Sequence, residues 1–225
     1  MNVLITGGAG FIAHHVIDHI LKTTDWNITT LDRLDESGNL NRLHDVLKQH
    51  NPENCKRHRT VFHDLKAALN SQIRADIGDI DIVLHLAAGS HVDRSITHPM
   101  EFVQDNVIGT VNLLNWARKL PNLKKFVYFS TDEIFGVAPP GVSYKEYDRY
   151  NSTNPYSASK AAAEEFCVAY ENTYNMPMYI THTMNVFGQR QHPEKFIPGT
   201  IQRVRDGDKV TIHACLLYTS DAADE

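Results

Sequence analysis

TGGAGFIA (residues 6–13) stands between MNVLIT, a short apolar run of strand type, and FIAHHVIDHILKTT, where Phe11, Ile12, Val16, Ile17, Ile20 and Leu21 recur at helical spacing. Gly7, Gly10 and Ala13 fit G-x-x-G-x-x-[GA] at this strand-to-helix junction. Glycines there let backbone amides approach a pyrophosphate, and the helix N-terminus adds partial positive charge. The bland alternative is a tight turn with no ligand. The placement in a first strand–turn–helix unit favours dinucleotide binding.

Working outward, the alternation continues. Strands are predicted at NITTLD (27–32), RTVFHD (59–64), IDIVLHLAA (80–88), FVYFST (126–131) and MPMYITHTMN (176–185). Helices are predicted over 101–120 and 157–174, with a short one in 39–47. Strand and helix in turn imply an α/β, doubly wound parallel sheet of Rossmann type, with ligands beyond the carboxyl ends of the strands. Composition excludes other classes. Of 225 residues, 42% are hydrophobic and 22% charged, and the net charge is −5, so no nucleic-acid or anionic-membrane surface is indicated. No apolar run has the length of a membrane span. Cys55, Cys167 and Cys215 are scattered, which argues against a disulfide framework and fits a cytoplasmic location.

The strand ends carry the candidate chemistry. Asp32 closes the second strand about 20 residues after the glycines, where an acid meets ribose hydroxyls and selects NAD over NADP. Arg33 weakens that preference, because a guanidinium can pair with a 2′-phosphate. Asp64, after the third strand, is a candidate for the adenine amino group or a simple cap. His14, His15 and His19 share one helix, but no third ligand stands at motif spacing, so a surface or helix-end role is expected and no metal. Tyr156 is the one tyrosine of nine followed four residues later by a lysine, Lys160. On a helix that spacing brings the ammonium near the phenol and favours the phenolate as a base. Ser130-Thr131-Asp132-Glu133 ends the fifth strand with two adjacent carboxylates, either a solvated acidic loop or groups that move protons.

The glycine turn, the Y-x-x-x-K helix and the hydroxyl after the fifth strand resemble the extended short-chain dehydrogenase/reductases. HLAAGSHVDRSI (85–96), STDEIFG (130–136), NPYSASKAAAE (154–164) and GQRQHPEKFIPGTI (188–201) resemble the dTDP-glucose 4,6-dehydratases among them. The resemblance implies an NAD-dependent removal of water from a nucleotide sugar. Tyr156 would take the 4-hydroxyl proton with Thr131 bonding that oxygen, Glu133 would take the proton on carbon 5, and Asp132 would protonate the departing 6-hydroxyl. It further places Phe11 and Ile12 at the pyrophosphate, Leu65 at the adenine, and Leu86, Ala87 and Ala88 along NAD. Ser90, His91, Asn185, Lys195 and Phe196 would line the sugar-nucleotide side. A homodimer is implied for the full-length protein.

The chain departs from that pattern at three places. Ala13 replaces the third glycine, Gly89 stands where the family commonly has glutamate, and Glu36 replaces a common tyrosine. The resemblance stops near His213, and CLLYTSDAADE (215–225) reads like a translated sequencing adapter. The expected division is a cofactor domain over 1–182, the beginning of an incomplete substrate lobe over 183–214, and a non-native tail over 215–225. A sugar-nucleotide 4-epimerase, a UDP-glucuronate decarboxylase and a non-catalytic NAD sensor or inactive fragment stay open as alternatives. Asp132 and Glu133 argue against the epimerase.

Overall fold

In a computed structural model, the structure describes residues 1–210 other than Glu36 and Glu194. The Glu36 departure and the 215–225 tail therefore lie outside the described residues. The chain runs β1 (Asn2–Thr6), α1 (Phe11–Thr23), β2 (Asn27–Asp32), α2 (Leu40–Leu47), α3 (Pro52–Lys56), β3 (His58–Phe62), α4 (Ser71–Ile77) and β4 (Ile82–His85). It continues with α5 (Val92–Thr97), α6 (Pro99–Phe102), a π-helical segment (Val103–Ile108), α7 (Gly109–Ala117) and β5 (Lys125–Thr131). A 3₁₀ turn (Asp132–Phe135), α8 (Pro155–Tyr174), β6 (Met178–Thr183) and α9 (Phe196–Asp206) complete it.

The strands form one parallel sheet in the order β3-β2-β1-β4-β5-β6. Strand side chains alternate between faces. Val3 and Ile5 accordingly pack with Ala13, Ile17 and Leu21 of α1 and with Leu43 and Val46 of α2. Leu4 points the other way, into a core with Leu113, Leu114, Phe126, Ala163 and Cys167, which α7 and α8 close. Burial on both faces is why β1 reads as a continuous apolar run. The order reverses between β1 and β4, which opens a crevice at their carboxyl ends.

Two predicted helices differ from the observed ones. The span predicted over 101–120 is interrupted by the π segment 103–108. That wide turn lets two consecutive residues, Asp105 and Asn106, bond to different parts of the fold. The helix predicted from Ser157 begins earlier, at Pro155, because Asn154 caps it. The Asn154 side chain accepts the Ser157 N–H at 2.8 Å, and Pro155 takes the first turn. Tyr156 thereby enters the first turn of a 20-residue helix.

Candidate active site

The glycine turn is held by its neighbours. Gly7 has φ +69°, and a Cβ there would stand 3.0 Å from Cα of Ala87. The backbones of the turn and of the loop after β4 are therefore in contact. Gly8, which the sequence pattern does not single out, is tighter still, since its Cβ would lie 2.3 Å from Cβ of Thr30. Ala9 is pinned on both sides. Its N–H donates to Asp32 Oδ2 at 2.8 Å, and its carbonyl accepts from Arg42 Nη1 at 3.1 Å and Asn39 N at 3.0 Å. Phe11 and Ile12 open α1, whose cap Gly10 brings no side chain and whose first turn carries no acid. No carboxylate competes there for the first-turn amides, so this cradle of bare backbone and helix N-terminus fits the pyrophosphate of a dinucleotide.

A buried hydrogen-bond chain joins the two sides of the crevice. Thr6 Oγ1 accepts the backbone N–H groups of Leu86 (3.2 Å) and Ala87 (3.1 Å). Both lone pairs are then used, so the hydroxyl donates to His85 Nδ1 at 2.7 Å and the ring proton sits on Nε2. Nε2–H donates to Thr110 Oγ1 at 2.9 Å, and Thr110 donates to the Asn106 carbonyl. The Asn106 side chain grips Gly89 through both N–H and C=O and donates to Ser159 Oγ at 2.8 Å. Ser159 lies between Tyr156 and Lys160 on α8. Burial, with the Lys160 charge nearby, pushes His85 down to about 3, which keeps the ring neutral.

At the end of β5, Thr131 caps the 3₁₀ turn by accepting the Glu133 N–H at 3.3 Å, and its hydroxyl donates to Asp132 Oδ1 at 3.4 Å. Asn154, while capping α8 through its oxygen, donates through Nδ2 to Glu133 Oε2 at 3.5 Å. The paired carboxylates thus abut the helix that carries Tyr156 and Lys160. Burial raises the Asp132 pKa from its ordinary value. Tyr156 is 8% exposed and packs edge-on to Phe102. Lys160 is buried, donates to the Phe129 carbonyl at 2.5 Å and stands 4.3 Å from the Tyr128 ring centre. Burial lowers the Lys160 pKa to about 8, a value that still leaves the ammonium charged near neutrality. Glu164, one helical turn further along α8, accepts from Tyr150 Oη at 2.5 Å and faces His182 Nε2 at 2.8 Å. Its charge helps to hold the Lys160 proton.

Asp32 ends β2 with Arg33 directly after it, and Asp64 and Leu65 follow β3. Asp32 gives its second oxygen to the Leu34 N–H at 2.7 Å. Arg33 sits among carboxylates: it is bidentate to Asp105 at 2.6 and 2.7 Å and bonded to Asp35, with Asp64 at 3.7 Å. These bonds, Asp105 first, raise its pKa. Asp64 also accepts the Lys66 N–H at 2.9 Å, and the Leu65 carbonyl is held by Asn112. Ala88 and Ser90 are exposed, and His91 caps α5 through Nδ1. Asn185 is exposed beyond β6, while Lys195 stands just before and Phe196 opens α9, a helix with no buried residue. His15 and His19 are exposed, whereas His14 is buried at the helix end with Nδ1 3.3 Å from the carbonyl of the cap Gly10. It is 1% exposed, and burial beside His15 pushes it down to about 4. Among the described residues no cluster of three metal-binding side chains occurs, and no helix is long and apolar enough to cross a membrane.

Sequence reasoning did not find Gly8, Arg42, Asp105, Asn106 or Glu164. Only the Y-x-x-x-K-x-x-x-E spacing, which continues one helix face through Glu164, offered a signal.

Residues 3–221 match the model of the NAD dependent epimerase/dehydratase family. The low-salt glycan biosynthesis protein Agl12 of Haloferax volcanii is 39% identical over 214 residues, covering 95% of this chain and 66% of that protein. The dTDP-D-glucose 4,6-dehydratase of Mus musculus is 38% identical over 232 residues, covering 99% and 62%. The crystal structure of DesIV, a dTDP-glucose 4,6-dehydratase from Streptomyces venezuelae solved with NAD bound, superposes with a TM-score of 0.84. It is 35% identical and is matched over 96% of this chain and 65% of that one. The chain thus spans slightly less than two thirds of the length of these proteins.

Proposed function

The chain belongs to the NAD dependent epimerase/dehydratase family, and from that premise we propose that it is the cofactor-binding and catalytic part of an NAD-dependent nucleotide-sugar 4,6-dehydratase. The observation that carries this is the Thr131-Asp132-Glu133 turn, tied through Asn154 to the first turn of the Tyr156–Lys160 helix. Besides a hydride acceptor, oxidation at a sugar hydroxyl needs one base such as Tyr156. Elimination of water needs a second base and an acid as well, and the adjacent carboxylates supply that pair.

The residues that would hold NAD are Gly7, Gly10, Phe11 and Ile12 at the pyrophosphate, Asp32 at the adenosine ribose, and Asp64 and Leu65 near the adenine. Leu86, Ala87 and Ala88 would flank its other half. Bound NAD supplies a two-electron oxidant for the first step and, once reduced, the reductant for the last. Tyr156 takes the proton of the sugar 4-hydroxyl, favoured as phenolate by the Lys160 ammonium. Thr131 hydrogen-bonds the same oxygen. The ketone formed at carbon 4 acidifies the proton on carbon 5, which Glu133 removes. Asp132, kept protonated to higher pH by its burial, delivers a proton to the departing 6-hydroxyl. Ser90, His91, Asn185, Lys195 and Phe196 would face the sugar nucleotide, with residues from 183 onward beginning the substrate lobe. Homodimer formation and a cytosolic location belong to the same reading.

The test is incubation of the protein with dTDP-glucose and, separately, UDP-glucose, followed by NMR of the sugar. A 4-keto-6-deoxy product supports the proposal. A change of configuration at carbon 4 without loss of water would replace it with the epimerase.

A further inference from the structure

Beyond β2 the fold presents two adjacent side chains of opposite meaning, Asp32 and Arg33. In a doubly wound sheet an acid here accepts the ribose 2′-hydroxyl of NAD, whereas a nearby arginine accommodates the 2′-phosphate of NADP. The bonding of Arg33 decides between them. Four of its five guanidinium N–H groups are already used: Nη1 and Nη2 on the two oxygens of Asp105 at 2.6 and 2.7 Å, and Nε and Nη2 on Asp35 at 3.0 and 2.7 Å. Asp64 stands 3.7 Å from Nη1. Asp105 reaches this point from 72 residues away, out of the π-helical segment whose next residue, Asn106, faces Gly89 and α8. The planar, bidentate fork is the same geometry with which an arginine would grip a phosphate.

The surroundings agree. A cavity of about 670 Å³ at this place is lined by Arg33, Lys66 and Arg94 against Asp35, Asp64, Asp105 and Glu101. Acids outnumber bases there before Asp32 is added, so a doubly charged phosphate meets net repulsion.

We propose that Asp105 is a cofactor-specificity residue, one that occupies Arg33 and thereby excludes a 2′-phosphate, leaving Asp32 to read the free 2′-hydroxyl. Asp105 is a positioning residue in this reading, acting through the Arg33 guanidinium that it holds. The inference rests on the dinucleotide-binding reading of the preceding subsection and adds the residue that sets the preference.

Calorimetric titration of the purified chain, stripped of nucleotide, with NAD and with NADP tests it. Wild type binds NAD more tightly than NADP. Asp105→Asn, which removes the charge and keeps the shape, tightens NADP binding by roughly tenfold, the scale of one charge-assisted hydrogen bond, and leaves NAD nearly unchanged. Adding Arg33→Gln to that variant abolishes the gain. Asp35→Asn, at a more exposed partner of Arg33, shifts the ratio in the same direction by less, and serves should Asp105→Asn fail to fold. If the variants bind NAD normally but show no gain for NADP, or if the gain survives Arg33→Gln, the Asp105 assignment is overturned. If wild type binds neither dinucleotide, the cofactor reading itself falls, and the Asp105 assignment with it.

Discussion

Asp32 holds Ala9: the carboxylate that ends β2 accepts the Ala9 N–H at 2.8 Å, so the residue proposed to read the ribose also fixes the glycine turn. Its other oxygen takes the Leu34 N–H. Asp32→Ala should therefore do two things at once. NAD binding weakens by about 1–3 kcal/mol for the lost charged acceptor, and the melting temperature falls because two backbone donors lose their partner. Titration with NAD beside thermal melting separates the effects, and a variant with unchanged affinity would remove Asp32 from the cofactor site.

Gly8 meets Thr30 more closely than any other side chain would allow. Gly8→Ala puts a methyl group 2.3 Å from Cβ of the fully buried Thr30, so overpacking should cost about 1–3 kcal/mol. Urea denaturation measures it. Thr30→Gly in the same chain should recover part of the overpacking cost, and Thr30→Ala, which removes the Cγ2 clash at 2.7 Å but keeps Cβ at 2.3 Å, should recover less.

His85 makes the fold acid-sensitive. Its ordinary pKa is about 6.5, and burial, with Lys160 second, pushes it down to about 3 in the folded chain. The unfolded chain binds a proton below about pH 6.5 that the folded chain refuses. The contribution of His85 is thus full above that pH and declines as pH falls toward 3. His14 and His58, each pushed down to about 4 with burial the largest cause, act in the same direction. Urea midpoints should drop between pH 7 and pH 5, before carboxylates titrate. In His85→Gln the midpoint should be lower at pH 7 and the slope with pH shallower.

Under the proposed function, the paired carboxylates are what distinguishes dehydration from simple oxidation. Glu133→Gln and Asp132→Asn should each keep NAD, which neither side chain is placed to bind, and each lose elimination by roughly a hundredfold or more. Glu133→Gln should also slow solvent deuterium uptake at carbon 5, and Asp132→Asn should affect it less. Because burial raises the Asp132 pKa, the rate should fall as pH rises through that value, and Asp132→Asn should lose this limb. A double variant that formed the 4-keto-6-deoxy product at the wild-type rate would return STDEIFG to an acidic loop.

Much of the architecture was legible in local patterns. MNVLIT followed by TGGAGFIA and an apolar helical face specifies a strand, a turn and a helix, because side-chain periodicity and glycine backbone freedom are properties of neighbours in sequence. Tyr156 and Lys160 share a helix face for the same reason, and Asp132 and Glu133 are adjacent in the chain itself. What meets across long separations was not legible. The π segment, the Thr6–His85–Thr110–Asn106 chain that joins β1 to α8, and the burial of His14 arise from packing of the sheet against its helices. The state of Arg33 is the plainest case. The sequence places a guanidinium beside Asp32, and only the tertiary structure shows it held by Asp105, because an ion pair depends on distance in space while the two residues stand 72 positions apart.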